Sequence, residues 1–202
     1  MTQTQRARIG RPREFDAEVA LERAMSVFWE HGYEGASLAD LTAAMGITRT
    51  SMYAAFGNKE ALFRKALERY SAGPGSYGER ALAEPTARAV AAAMLHGGVD
   101  TTTGADRPSG CLGVQGALAV AAGDRTVREF ASGWREEVYL RLRDRFRRAQ
   151  AGGDLPPASD PDLLARFVVS VSAGLAVQAA GGVGRDELHR VADAALRAWP
   201  PA

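Results

Sequence analysis

With 202 residues, 46% of them hydrophobic and 24% charged, the chain has the make-up of a globular protein with a real core, in one larger domain or two small ones. A formal net charge of +1 excludes little by itself, but the charge is unevenly laid out: Arg6, Arg8, Arg11 and Arg13 all precede the first acid, Glu14. A single cysteine, Cys111, excludes an intrachain disulfide, and no cationic, apolar, small-residue succession at the N-terminus marks a signal peptide, so the expected location is the cytoplasm.

Residues 1–13 form a basic arm, which reads either as a solvated tail or as a segment that follows a phosphate backbone or lies in a minor groove. Asp16 caps a first helix to His31, with Ala20, Ala24, Val27 and Phe28 on one face, and Gly32 ends it. Ser37 and Asp40 are spaced as a capping box, and Leu38, Leu41, Ala44 and Met45 fall on one helical face, so a second helix spans Leu38 to Met45. Gly46 takes a positive φ without steric cost and lets the chain turn at once. Ile47 fills the space under that turn. Thr48 then caps a third helix, whose Met52, Ala55 and Phe56 point inward and leave Arg49, Thr50, Ser51, Tyr53 and Ala54 toward solvent. Asn58 caps a fourth helix, Lys59 to Tyr70, with Leu62, Phe63, Ala66 and Leu67 at helical spacing.

Two short helices joined by a glycine turn have the geometry of a helix-turn-helix, whose second helix enters a major groove about 12 Å wide with its N-terminal residues near the base edges. Thr48, Arg49, Thr50 and Ser51 sit at that tip. An ordinary αα-hairpin of a helical bundle has the same caps and turn. Residues Phe15 to Phe63 resemble the TetR family of bacterial one-component transcription regulators, through FWEHGYEGASLADLTAAMGI, TRTSMYAAF and NKEALF. The resemblance implies that Tyr53 and Lys59 touch phosphates and that Thr48 to Ser51 face bases or backbone. Thr42 and Met45 stand where many relatives have alanine, and Ala54 and Ala55 replace larger side chains. The candidate DNA-contacting set is Arg11, Arg13, Ser37, Thr48, Arg49, Thr50, Ser51, Tyr53 and Lys59.

Ala72 to Ser76 punctuates the chain, dividing a DNA-binding domain at 14–71 from a C-terminal domain at 76–202. Pro85 suits a first helical position, and a helix over Ala87 to His96 stops at Gly97 and Gly98. Gly97 to Gly110 reads as a polar loop, and Cys111 to Ala122 as a short apolar helix. Asp124 caps a long helix to Gln150, along which Val127, Phe130, Trp134, Val138, Leu142 and Phe146 recur at 3 or 4. Arg141, Arg143, Arg145, Arg147 and Arg148 near its end read as a solvated face. Gly152 to Pro157 is a linker. Asp160-Pro161 opens a helix to Ala180, and Arg185 to Trp199 is the last. The apolar part of 167–184 falls short of the ~20 residues a membrane span needs, so a buried helix is expected and no membrane partner. The fold class is all-α.

No enzyme signature is present. His31, His96 and His189 are scattered, with no carboxylate or cysteine at ligand spacing, so no metal and no cofactor is expected. Gly181 to Gly184 follows no strand and is a helix-helix turn. Cys111 at a helix start offers a redox switch through a lowered thiol pKa, or else is an inert buried residue. A helical enzyme acting on small molecules without DNA binding is the remaining alternative. The resemblance implies a ligand-responsive repressor acting on double-stranded DNA at a palindromic operator. Phe63, Leu67, Met94, Cys111, Gln115, Phe130, Trp134, Phe167 and Gln178 are candidates for the wall of a small-molecule effector pocket. Phe167 to Ala180 leaves no wide polar face, and Ser170, Ser172, Ala173, Gly174 and Ala176 allow close helix approach. With Val191, Ala194, Ala195 and Leu196, these residues predict a homodimer through the last two helices.

Overall fold

A computed structural model describes residues 15–116, 118 and 125–199. Every regular element among them is helical: α1 (Ala17–Gly35), α2 (Leu38–Met45), α3 (Arg49–Phe56), α4 (Lys59–Ala72), a 3₁₀ turn (Pro74–Ser76), α5 (Tyr77–Leu82), α6 (Ala87–Thr102), α7 (Leu112–Gln115), α8 (Arg125–Ala151), α9 (Pro161–Ala180) and α10 (Arg185–Arg197). The expected caps are in place on the first four helices: Asp16, Ser37, Thr48 and Asn58 each accept a backbone N–H of the first turn. Gly32, at φ 69°, bends α1 where the sequence ends it.

The first core forms where α1, α2 and α3 close on α4. Phe28 meets Phe63 edge-on at 5.2 Å and Trp29 meets Tyr70 edge-on at 4.8 Å, the geometry ring quadrupoles favour. Residues far along the chain complete this core: Cys111, Leu112, Val127, Ala131 and Ala176 belong to it. Arg69 of α4 pairs with Glu18 and Glu22 of α1, so the two helices are also tied at their outer edge. A second core gathers α5, α6 and the far part of α8 against α9 and α10, around Leu95, Leu142, Phe146 and Val168.

One expectation changes here. A helix over Tyr77–Leu82 follows the Pro-Gly turn, where the sequence reading assigns no element, and α6 does not stop at Gly97 but runs to Thr102. Tyr77 lies across α6, and a Cβ at Gly97 would come to 2.9 Å of its Cδ2, so the glycines are a docking notch inside a helix rather than a stop. Pro85 accordingly precedes the N-cap Thr86 instead of opening the helix. The Asp124 cap and most of the apolar stretch 117–124 lie outside the described residues.

The arginines of α8 are tethers more than a bare solvated face. Arg141 pairs with Glu79 and Arg147 with Asp162, while Arg145 donates to the carbonyls of Leu82, Glu84 and Pro85 at the end of α5. Nor are the histidines all scattered. His96 and His189 approach to 2.8 Å between their Nδ1 atoms and lie beside Asp193 and Asp100, pinning α6 to α10. No group of three His, Cys, Asp or Glu among the described residues is placed to hold a metal ion.

α9 is 20 residues long and, by length and composition alone, apolar enough to cross a membrane. One side of it is packed on α6, α8 and α10. The other is open: Leu163, Ser170, Gly174 and Val177 are exposed, as are Val191 and Ala194 of α10. Of the small residues, Ser172 and Ala173 are only part-exposed and Ala176 is buried, so Ser170 and Gly174 alone face outward.

Two glycines test this packing. Gly97→Ala should destabilise the chain by ~1–3 kcal/mol in urea unfolding, because the ring of Tyr77 must move. Gly133→Ala, in an open stretch of α8 with nothing within 4 Å of the added methyl, should stabilise by ~0.5–1 kcal/mol. Equal effects of one sign would contradict the notch.

Candidate nucleic-acid interface and adjoining cavity

The turn between α2 and α3 is built by local hydrogen bonds. Ser37 N–H donates to Asp40 Oδ2 at 3.2 Å and Asp40 N–H donates to Ser37 Oγ at 3.1 Å, a complete capping box. Hydrogen bonds from the Ser37 side chain, then its backbone, hold the Asp40 carboxyl below its usual range. At the other end Gly46 is left-handed at φ 69°, its N–H reaching Ala43 O while Ile47 N–H reaches Thr42 O. Met45 and Met52 are buried on either side and fix the crossing of the two helices.

On α3, Arg49, Thr50 and Tyr53 are exposed, as expected of a reading face. Ala55 joins them in solvent instead of the core, and Met52 and Phe56 alone make the inward stripe. Thr48 and Ser51 are committed to each other: Ser51 N–H donates to Thr48 Oγ1 at 3.1 Å and the two hydroxyls lie 3.0 Å apart. Ser37 is likewise spent on its capping box. These three side chains hold the tip in shape, while Arg49 and Thr50 project from it.

Lys59 opens α4 with its Nζ 4.5 Å above the Tyr33 ring, a cation–π contact that fixes the ammonium beside the α4 N-terminus. Between Asp40 and Glu60 the sequence holds no acid, which favours the approach of a polyanion to this stretch. Arg11 and Arg13 lie outside the described residues.

A profile described as "Bacterial regulatory proteins, tetR family" matches residues 20–66. Among curated proteins, the HTH-type transcriptional repressor ComR of Escherichia coli (strain K12) is 32% identical over 193 residues, 95% of this chain and 92% of ComR. The chain belongs to the TetR family. Among solved structures, a cysteine mutant of the TetR family transcriptional regulator CifR, complexed with 26bp double-strand operator DNA, is 47% identical. That likeness covers 94% of this chain and all of the CifR chain, at a TM-score of 0.90. A putative TetR regulator from Rhodococcus sp. RHA1 is 42% identical with a TM-score of 0.62. This TetR-family chain is thus a DNA-binding transcription regulator rather than an enzyme.

Behind the reading head, the TetR chain encloses a cavity of ≈ 70 Å³ between α6, α7, α8 and α9. Of the nine residues expected in a pocket, Met94, Cys111 and Trp134 line it. Phe63 and Leu67 are wholly buried in the first core, and Phe130 packs against that core under the Arg64 guanidinium. Phe167 packs on the second core, Gln178 is exposed on α9, and the Gln115 amide turns away to donate to Ser109 O.

The sequence reading missed Tyr77, Arg135 and Ser172, which also line the cavity. For Arg135 a signal existed: it lies four after Ala131 and three before Val138, on the inward face of α8. Of the two readings of Cys111, the inert buried residue fits better than the activated thiol. Burial pushes the Cys111 thiol pKa up, outweighing the Tyr70 hydroxyl and the two α7 amides that favour thiolate.

Thr48→Ala should cost ~1 kcal/mol in unfolding and weaken DNA binding, because the tip loses its cap and its link to Ser51. Thr48→Ser should restore both. Unchanged unfolding of the alanine variant would show that the cap does not hold the tip.

Proposed function

We propose that this TetR-family regulator is a repressor, that it binds a palindromic operator in double-stranded DNA as a homodimer, and that a small molecule in its cavity releases it. One observation carries the ligand response: two cavity residues hold consecutive residues at the end of α4. Tyr70 O–H donates to Cys111 Sγ at 3.3 Å, and Trp134 Nε1–H donates to Ser71 Oγ at 2.8 Å. Any occupant that displaces Trp134 or Cys111 therefore moves α4, whose other end starts beside α3.

Segment 110–116 adds a second link, since Gly110 O accepts Trp29 Nε1–H at 3.0 Å and Gly116 O accepts Tyr33 N–H at 2.7 Å. A ligand that favours one setting of this joint weakens DNA binding by the factor by which DNA weakens its own binding. The raised Cys111 pKa favours the small-molecule reading over the redox alternative.

In this reading residues 14–71 read DNA with the 1–13 arm beside them, and residues 76–202 hold the effector and the dimer contact, in the cytoplasm. Repression fits ComR, named a repressor, and the Staphylococcus epidermidis regulator IcaR, named a negative regulator. The CifR complex with 26bp double-strand operator DNA fits binding to double-stranded DNA. Dimerisation fits the open apolar side of α9 and α10: two copies laid face to face make an isologous four-helix contact over Ser170 and Gly174. A dimer presents two α3 helices about one DNA turn, ~34–36 Å, apart.

Lys59→Ala should weaken binding to every DNA sequence and flatten the salt slope by ~0.9 for one lost phosphate contact. Arg49→Ala should instead relax preference at one operator position by ~1–3 kcal/mol. Gly174→Arg places a charge where a single subunit has open space, so the variant should fold, sediment as a monomer and bind operator poorly. A wild-type chain that sediments as a monomer at micromolar concentration, or a Gly174→Arg variant that stays dimeric, would sink the dimer reading.

A further inference from the structure

We propose that the cavity under α7 selects a small apolar carboxylate, with Arg135 as its counter-ion; this rests on the effector reading above and names the class of effector. Arg125, Arg141, Arg143 and Arg147 of the same helix each reach a carboxylate. Among the described residues Arg135 reaches none. There its guanidinium donates only to Gly113 O and Ser132 Oγ, both at 3.1 Å, and makes no ion pair. Burial lowers its pKa more than the neighbouring Cys111 thiol raises it, and no carboxylate among the described residues pairs with it, so the charge is partly stripped of water.

Two further groups have unused hydrogen-bonding capacity in the same cavity. Among the described residues Ser172 Oγ is buried with no hydrogen-bond partner, and the Tyr77 hydroxyl makes no hydrogen bond. A buried hydroxyl left unpaired is costly, and native structures seldom keep one without a reason. A guanidinium and two hydroxyls can all donate, whereas a carboxylate accepts at about four lone-pair sites and takes an arginine side-on. The same set repels an ammonium, and a neutral molecule of the same shape would remove water from Arg135 while returning no charge.

The remaining wall is apolar, from Met94, Val138, Val169 and Ala173. A neighbouring hollow of ≈ 120 Å³ shares Met94, Trp134 and Val138 with it. The two together are on the scale of an engineered cavity, about 150 Å³, that accepts benzene. The apolar part of the occupant is therefore one ring or a short alkyl chain, with its carboxylate at the Arg135 end.

The test compares matched probes on the full-length protein by calorimetry and thermal shift: benzoate, benzamide and benzylamine, and hexanoate, hexanamide and hexylamine. Carboxylates should bind at least tenfold more tightly than their amides, and the amines should not bind. Arg135→Gln should erase the carboxylate preference, Arg135→Lys should restore part of it, and Ser172→Ala should weaken carboxylate binding less than Arg135→Gln does.

Amides that bind as well as carboxylates, no binding of either carboxylate, or Arg135→Gln with unchanged carboxylate affinity would each overturn the proposal. If Arg135→Gln fails to fold, the wild-type ratio of carboxylate to amide decides alone. Arg135-dependent binding that leaves operator affinity unaltered would keep the site and remove the effector reading.

Discussion

Polar groups taken out of water must find partners, and the seam between the first four helices and those behind them is where this constraint binds hardest. Leaving one such group unpaired costs about 1–3 kcal/mol, a large share of a domain's net stability of ~5–15 kcal/mol. The Trp29 indole, the Tyr70 hydroxyl and the Tyr33 amide all point into that seam. Each is answered by the short run Gly110 to Gly116, through a carbonyl, a thiol and another carbonyl. The head cannot be re-aimed without breaking these bonds or carrying the segment with it.

That constraint is what the proposed ligand response would act through. The run that satisfies the head also forms one wall of the cavity, and Trp134 forms another while holding Ser71. Arg69 locks α4 to α1, so a displacement at the end of α4 is shared by the two helices that carry α2 and α3. Packed cores switch between discrete arrangements instead of bending smoothly, so a small occupant suffices to bias one arrangement over the other. In the proposed ligand response, the setting of this joint would change rather than the shape of α3.

The legible parts of the sequence were those governed by neighbours in the chain. Ser37, Gly46, Thr48 and Asn58 act within four residues of themselves, and α2, α3 and α4 begin where those residues place them. The errors arose wherever a distant side chain decides. Gly97 and Gly98 look like a helix stop until Tyr77 is laid across them, and Ala55 looks like core until α3 is seen to bury only Met52 and Phe56. The cavity shows the same dependence: aromatic size picks out Phe63, buried in the first core, and Phe130, packed against it, whereas Arg135 and Ser172 line the cavity. A cavity is a property of several helices at once, and no single helical stripe records it. α9 is the intermediate case, since its overall apolarity was legible but the side left open was not.

The account stands on two α3 helices reading two half-sites together. The most direct measurement is selection of bound sequences from random double-stranded DNA by the unmodified protein. An inverted repeat should emerge, with half-site centres about 10 base pairs or a multiple apart, as two helices one DNA turn apart require. Enrichment of a lone, unrepeated site, or of no sequence at all, would contradict it.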